Sequence, residues 1–215
     1  MQSKAPKSSI TAGVLKASSD ECDAFGKPRR PLLMVDVDGV ISLFGASPPE
    51  AEAPEREGGQ LHSLDGMMHF LSATAAAHLL ELARLYELVW ASGWEERADE
   101  HLPRLLGLPA GLPHLSFAAA DGRSSAHWKL EAVEAFADGR PLAWVDDAFN
   151  DACHAWAARR AAPTLLVATD PRRGLTAHEA RLLAAWAHSA GGAPAQGVAA
   201  AGVNGAEIPS ETAAP

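Results

Sequence analysis

Two apolar runs in this chain end in paired carboxylates. The first is Pro31-Leu-Leu-Met-Val-Asp36-Val-Asp38-Gly-Val40 and the second is Pro141-Leu-Ala-Trp-Val-Asp146-Asp147. Side chains alternate across a strand, so Asp36 and Asp38 are expected on one side, where a buried strand opens into a loop. Crowded carboxylates repel one another unless a cation lies between them or one keeps its proton for acid work. A metal-assisted site is the first expectation. The alternatives are a solvated turn or a calcium loop, and a calcium loop wants Asn or Asp where Val40 stands and a helix, not a strand, before it. For the second pair, helix capping by Asp147 with Asp146 in the turn explains one carboxylate more easily than both.

Two other stretches supply groups that hold anions. Leu88-Val-Trp-Ala-Ser92-Gly93-Trp-Glu places a hydroxyl and a glycine after an apolar run. The N–H groups of a following helix start, together with Ser92, make an anion site, although an ordinary N-cap by Ser92 is the plainer reading. His127-Trp-Lys129-Leu-Glu lies in a helical pattern, where a lysine is usually a solvated charge. Only its place just before the next apolar strand singles Lys129 out.

The elements that must position these residues alternate. Strand candidates are Pro31 to Val37, Glu87 to Ala91, His114 to Ala118, Leu142 to Val145 and Thr164 to Ala168. Helix candidates are Ser72 to Tyr86, Trp94 to Leu106, Ser124 to Ala137, Ala148 to Ala161 and Thr176 to His188, with apolar residues such as Leu79, Leu82 and Leu85 three apart. This order predicts an α/β fold with a mainly parallel five-stranded sheet between helices, and such sheets bind ligands beyond the carboxyl ends of their strands. The segment 42–69 departs from the alternation and is rich in Pro, Glu and Gly, so it reads as a loop or flap insertion, either a lid or a solvated linker. Residues 1–29 and 191–215 lack a sustained apolar period and read as flexible tails around a domain at 30–190.

The chain has 215 residues, 47% of them apolar, with a net charge of -9. That content supports one ordinary core, and the charge argues against binding nucleic acid through a broad basic surface. Cys22 and Cys153 are the only cysteines and form neither a zinc spacing nor a disulfide framework, so a reducing cytoplasmic location is expected. No segment reads as a secretory signal or a membrane span, and no protein partner is evident. His62, His69, His78 and His101 have no metal spacing, His154 reads as a helix-surface residue, and His178 near the last helix start faces solvent or caps a neighbour. Trp128, Trp144 and Trp156 read as packing residues, and Arg97, Arg104 and Arg123 as solvated charges.

Taken in order, Asp-x-Asp-Gly-Val, an apolar strand with Ser92, Lys129, and an apolar strand with Asp-Asp resemble the haloacid dehalogenase (HAD) superfamily of phosphohydrolases over most of residues 31–170. Leu88-Val-Trp-Ala-Ser-Gly-Trp-Glu-Glu-Arg-Ala, Leu142-Ala-Trp-Val-Asp-Asp and Thr169-Asp-Pro-Arg-Arg-Gly-Leu-Thr176 are similar to the branch linked to Swiss Army Knife RNA-repair proteins. The resemblance implies a Rossmann-like three-layer sandwich. It implies Asp36 as nucleophile forming an aspartyl-phosphate, and Asp38 as general acid and base. It further implies Ser92, Gly93 and Lys129 around the substrate phosphate, and Mg²⁺ held by Asp36, the Asp38 carbonyl and Asp146 or Asp147, with Asp146 the first choice and Asp147 left to fix Lys129 or a metal-bound water. Little or no cap domain is present, which implies an open site. The expected activity is a magnesium-dependent phosphatase acting on a phosphorylated small molecule. The alternatives are a nucleic-acid end (3'-phosphate) phosphatase and a non-catalytic module that binds phosphate or a partner.

Overall fold

The computed structural model describes residues 29–44, 59–117 and 125–190, so both expected tails, Cys22, Arg123 and the middle of the 42–69 segment lie outside the described residues. The elements below belong to the compact unit that begins at Pro31. Strands β1 (Leu32–Val35), β5 (Glu87–Trp90), β6 (Leu142–Asp146) and β7 (Thr164–Ala168) form one parallel sheet in the order β5-β1-β6-β7. Their registers pair Val35 with both Trp90 and Val145, and Asp146 with Ala168, so the four carboxyl ends share one edge of the sheet.

Alternation along these strands builds two cores. Leu33, Val35, Leu88, Trp90, Ala143 and Val145 pack on one face against α1 (Ala73–Leu82), α2 (Glu96–Leu106) and α5 (Ala177–Ala190). Leu32, Met34, Val89, Leu142 and Trp144 pack on the other against α3 (Leu130–Ala137) and α4 (Asp151–Arg159). Each fully buried Leu or Val contributes about 1.5–3 kcal/mol relative to exposure. The result is the three-layer α/β sandwich that the strand and helix alternation requires.

The sheet has four strands rather than five. The segment expected to form a strand from His114 touches β5 through one bridge, with Trp90 N donating to Pro113 O and Leu115 N to Trp90 O. Trp90 is the last residue of β5 and Pro113 has no N–H to give, so the ladder has no room to extend.

The insertion between β1 and α1 contains strands where a loop was expected. Strands β2 (Ser42–Leu43), β3 (Gln60–Leu64) and β4 (Met67–Leu71) make a second, antiparallel sheet in the order β2-β4-β3. Its hairpin turns through Asp65 and Gly66, both at positive φ, which is the two-residue turn that matches the twist of paired strands. The Asp65-Gly66 dipeptide was the sequence signal for it. Arg97 on α2 holds this turn through Asp65 Oδ2 at 3.1 Å.

Candidate active site

Strand β1 stops at Val35, so strand alternation does not place Asp38. A tight turn does so instead, in which Ile41 N and Ser42 N donate to Val37 O and Gly39 N donates to Ser42 O. Gly39 has φ +71°, and a Cβ there would lie 2.3 Å from Asp147 Oδ2. Only glycine permits this turn to pass so close to the end of β6. Asp36 is anchored on either side: its Oδ1 accepts from Val37 N at 2.8 Å, and its Oδ2 lies 2.8 Å from Lys129 Nζ.

Lys129 is not a solvated charge. It ends a 3₁₀ turn (Ala126–Lys129) that leads into α3, is 3% exposed, and reaches both Asp36 and Asp146 Oδ2, the latter at 2.7 Å. Burial pulls its ammonium pKa down, but the two carboxylates outweigh burial and hold it above the ordinary lysine value. Asp146 accepts at both oxygens, from Lys129 and from Ala148 N at 3.0 Å. Burial, reinforced by the Asp36 charge, raises its carboxyl, and Lys129 opposes the rise. Asp147 is half-buried and does not cap α4. Asn150 does, accepting from Cys153 N at 3.2 Å, and Asp147 is left with its own backbone N–H. Burial and the Asp36 charge push the Asp147 carboxyl up to about 6.

One ligand oxygen from each of Asp36, Asp146 and Asp147 lies within 4.8 Å of the others. Lys129 is the cation paired with them, so the cluster carries more negative charge than positive when ionised. This donor set fits a hard divalent cation, and among the described residues no side-chain donor bonds to the Asp147 carboxylate. Of the second pair it is Asp146, not Asp147, that meets Lys129.

Ser92 follows β5 and is buried, with Trp94 N 3.4 Å from its Oγ. It does not cap α2, whose N-cap position is Glu95 at φ +50°. Gly93 is half-buried between Ser92 and Trp94. Next in the chain, Trp94 Nε1 donates to Asp38 Oδ2 at 3.0 Å. Burial is the main cause that raises the Asp38 carboxyl; the Trp94 bond lowers it and the Asp36 charge raises it further. Thr169, after β7, closes the crevice by donating from Oγ1 to Gly39 O at 2.9 Å.

A family model described as the HAD domain in Swiss Army Knife RNA repair proteins matches residues 32–180. The chain belongs to this HAD domain family. No curated protein matches the chain. Of the site residues expected in the HAD domain, Asp36, Asp38, Ser92, Gly93 and Asp147 follow the carboxyl ends of β1, β5 and β6, Asp146 is the last residue of β6, and Lys129 reaches this edge through Asp36 and Asp146. Two residues that sequence reasoning passed over join them. Trp94 contacts Asp38, and His69 of β4 meets the Trp94 ring edge-on at 4.8 Å while its Nδ1 lies 3.0 Å from Ser42 Oγ. The adjacency of Trp94 to Ser92-Gly93 was the signal for the first, whereas His69 carries none because its contact crosses from the hairpin. Trp144 and Trp156 pack in the second core as expected, and Trp128 lies edge-on to Phe117. Among the described residues of this HAD domain the insertion after β1 is the hairpin rather than a separate cap domain, and no helix is long and apolar enough to cross a membrane.

Proposed function

We propose that this HAD domain is a magnesium-dependent phosphatase that hydrolyses a phosphomonoester through an aspartyl-phosphate on Asp36. The observation that carries the reading is the cluster of Asp36, Asp146 and Asp147, with buried Lys129 paired to the first two and Asp38 bonded to Trp94.

Asp36, anchored by Val37 N and Lys129, presents a carboxylate oxygen to phosphorus as nucleophile. Asp38, raised toward the neutral form by burial, gives its proton to the leaving oxygen and later takes one from the attacking water. Lys129 lies where negative charge spreads over the phosphoryl oxygens in the transition state, and the Ser92 hydroxyl and Gly93 N–H add neutral donors. Asp36, Asp147 and the Asp38 main-chain carbonyl would hold Mg²⁺, which supplies electrostatic stabilisation of the phosphoryl group.

A second reading names the substrate as a nucleic-acid end bearing a 3'-phosphate, and the RNA-repair description of the family favours it. Among the described residues the insertion after β1 is a hairpin, and a site without a cap domain would admit a long substrate. The test is phosphate release from an aryl phosphate, sugar phosphates, nucleotides and a 3'-phosphorylated oligonucleotide, each with Mg²⁺ and with chelator. Release that needs Mg²⁺ and is lost in Asp36→Asn supports the phosphatase reading, and preference for the oligonucleotide supports the second. Undiminished release by Asp36→Asn overturns the assignment of the nucleophile.

A further inference from the structure

The indole of Trp94 makes the one hydrogen bond to the Asp38 carboxyl among the described residues, at 3.0 Å to Oδ2. Asp38 sits in a turn, outside any strand ladder that would fix its side chain. An indole N–H donates and never accepts, at any working pH, so it orients a carboxyl without competing for its proton. The indole is itself fixed: Trp94 is 7% exposed, and the His69 ring packs against it with planes at 70°. His69 is held in turn by Ser42 on β2, the strand that leaves the Asp38 turn. The acid, the indole, the imidazole and the serine thus form a closed chain from the Asp38 turn, through the end of β5 and the hairpin, back to β2.

We propose that Trp94 is a positioning residue that aims the free oxygen of Asp38 at the leaving group, with His69 of the hairpin setting the plane of the indole. The inference rests on the phosphatase reading above. In the step concerned, an Asp36 oxygen bonds to phosphorus, the P–O bond to the leaving group breaks with its electron pair going to oxygen, and Asp38 Oδ1 delivers the proton that neutralises that oxygen. Oδ2, bound to the indole, stays out of the transfer. Misplacing a catalytic group by about 1 Å costs about 100-fold in rate, so the loss of this one bond should register kinetically.

Leaving-group dependence separates this role from a structural one. A nitrophenolate departs without a proton, whereas an alkoxide does not. In single-turnover experiments with full-length Trp94→Phe and saturating Mg²⁺, release of nitrophenol in the first turnover should stay within about threefold of the parent protein, while release of the alcohol from an alkyl phosphate slows about 10- to 100-fold. Both rates come from one preparation, so their ratio does not depend on how much of the protein is folded. Asp38→Asn should show the same selectivity, and adding Trp94→Phe to it should change the alkyl rate little. If the phenylalanine variant does not accumulate, benzothienylalanine at position 94 keeps the ring shape and removes only the N–H. Equal slowing of both leaving groups, or no slowing of either, overturns the proposal. Absence of turnover in the parent protein would instead overturn the phosphatase reading.

Discussion

The Lys129 ammonium lies 2.8 Å from Asp36 Oδ2, and both side chains are withdrawn from solvent. The pair joins a 3₁₀ turn on one side of the sheet to the end of a central strand, and Asp146 completes it from the neighbouring strand at 2.7 Å. Lys129 therefore neutralises part of the carboxylate charge gathered at this edge of the sheet.

Removing that cation leaves buried carboxylates uncompensated. Lys129→Met is expected to cost about 3 kcal/mol of folding stability near pH 8, within the range for breaking one partner of a buried ion pair. The cost should shrink near pH 5, where the carboxyls that burial has raised take up protons. Urea unfolding at the two pH values checks both the size and the direction.

The two carboxylates at the end of β6 should part company under mutation. Among the described residues no side-chain donor holds Asp147, so Asp147→Asn should spare the Lys129 contacts and weaken Mg²⁺ binding at least about tenfold, equivalent to about 1.4 kcal/mol. Asp146→Asn removes a charge that Lys129 needs and should lower stability more. The rise in melting temperature on adding Mg²⁺, measured for both variants, reads binding through linkage. A larger loss of that rise in Asp146→Asn would restore Asp146 as the principal ligand.

Gly39 tests the turn itself. Alanine there must adopt φ near +71° and place its Cβ 2.3 Å from Asp147 Oδ2. Gly39→Ala should cost about 1–3 kcal/mol through backbone strain and displace Asp147 from the cluster. The expected signature is a lower melting temperature that Mg²⁺ no longer raises.

Far from the site, His78 on α1 gives a pH dependence of stability. Burial holds its imidazole below the ordinary value of 6.5, with Glu179 opposing, and Nε2 is buried without a partner among the described residues. The unfolded chain takes up a proton near pH 6.5 while the folded protein remains neutral at this position. Stability from this group is therefore full above pH 6.5 and is lost as pH falls toward the lowered folded value. His78→Leu should flatten the decline in urea midpoint between pH 7.5 and about 5.5 relative to the parent protein, and an unchanged slope would refute the assignment.

The alternation of β1, β5, β6 and β7 with the helices, and the inward faces of those strands, were legible in the sequence because periodicity is local. Leu32 to Val35 read as a buried strand from their own side chains. The fifth strand was misread because a short apolar run such as Leu115 to Phe117 looks the same whether or not a neighbour has ladder left to offer. The hairpin was missed because the Pro- and Glu-rich stretch before Gly59 dominated the segment, and the Asp65-Gly66 turn carried its own unread signal. Within the candidate site, the residue types and their order pointed to Asp36, Asp38, Ser92, Lys129 and the Asp146-Asp147 pair.

What the sequence by itself determined is the layer architecture, the edge of the sheet where polar groups gather, and the surplus of carboxylates there, since all three follow from spacing along the chain. Tertiary structure alone decided which carboxylates pair with Lys129 and which aromatic meets Asp38. Those choices depend on contacts between elements far apart in the chain, which bring Lys129 to Asp146 and His69 of the hairpin to Trp94. A hydrogen bond is decided by tenths of an ångström between side chains distant in the chain, and no local pattern encodes that distance.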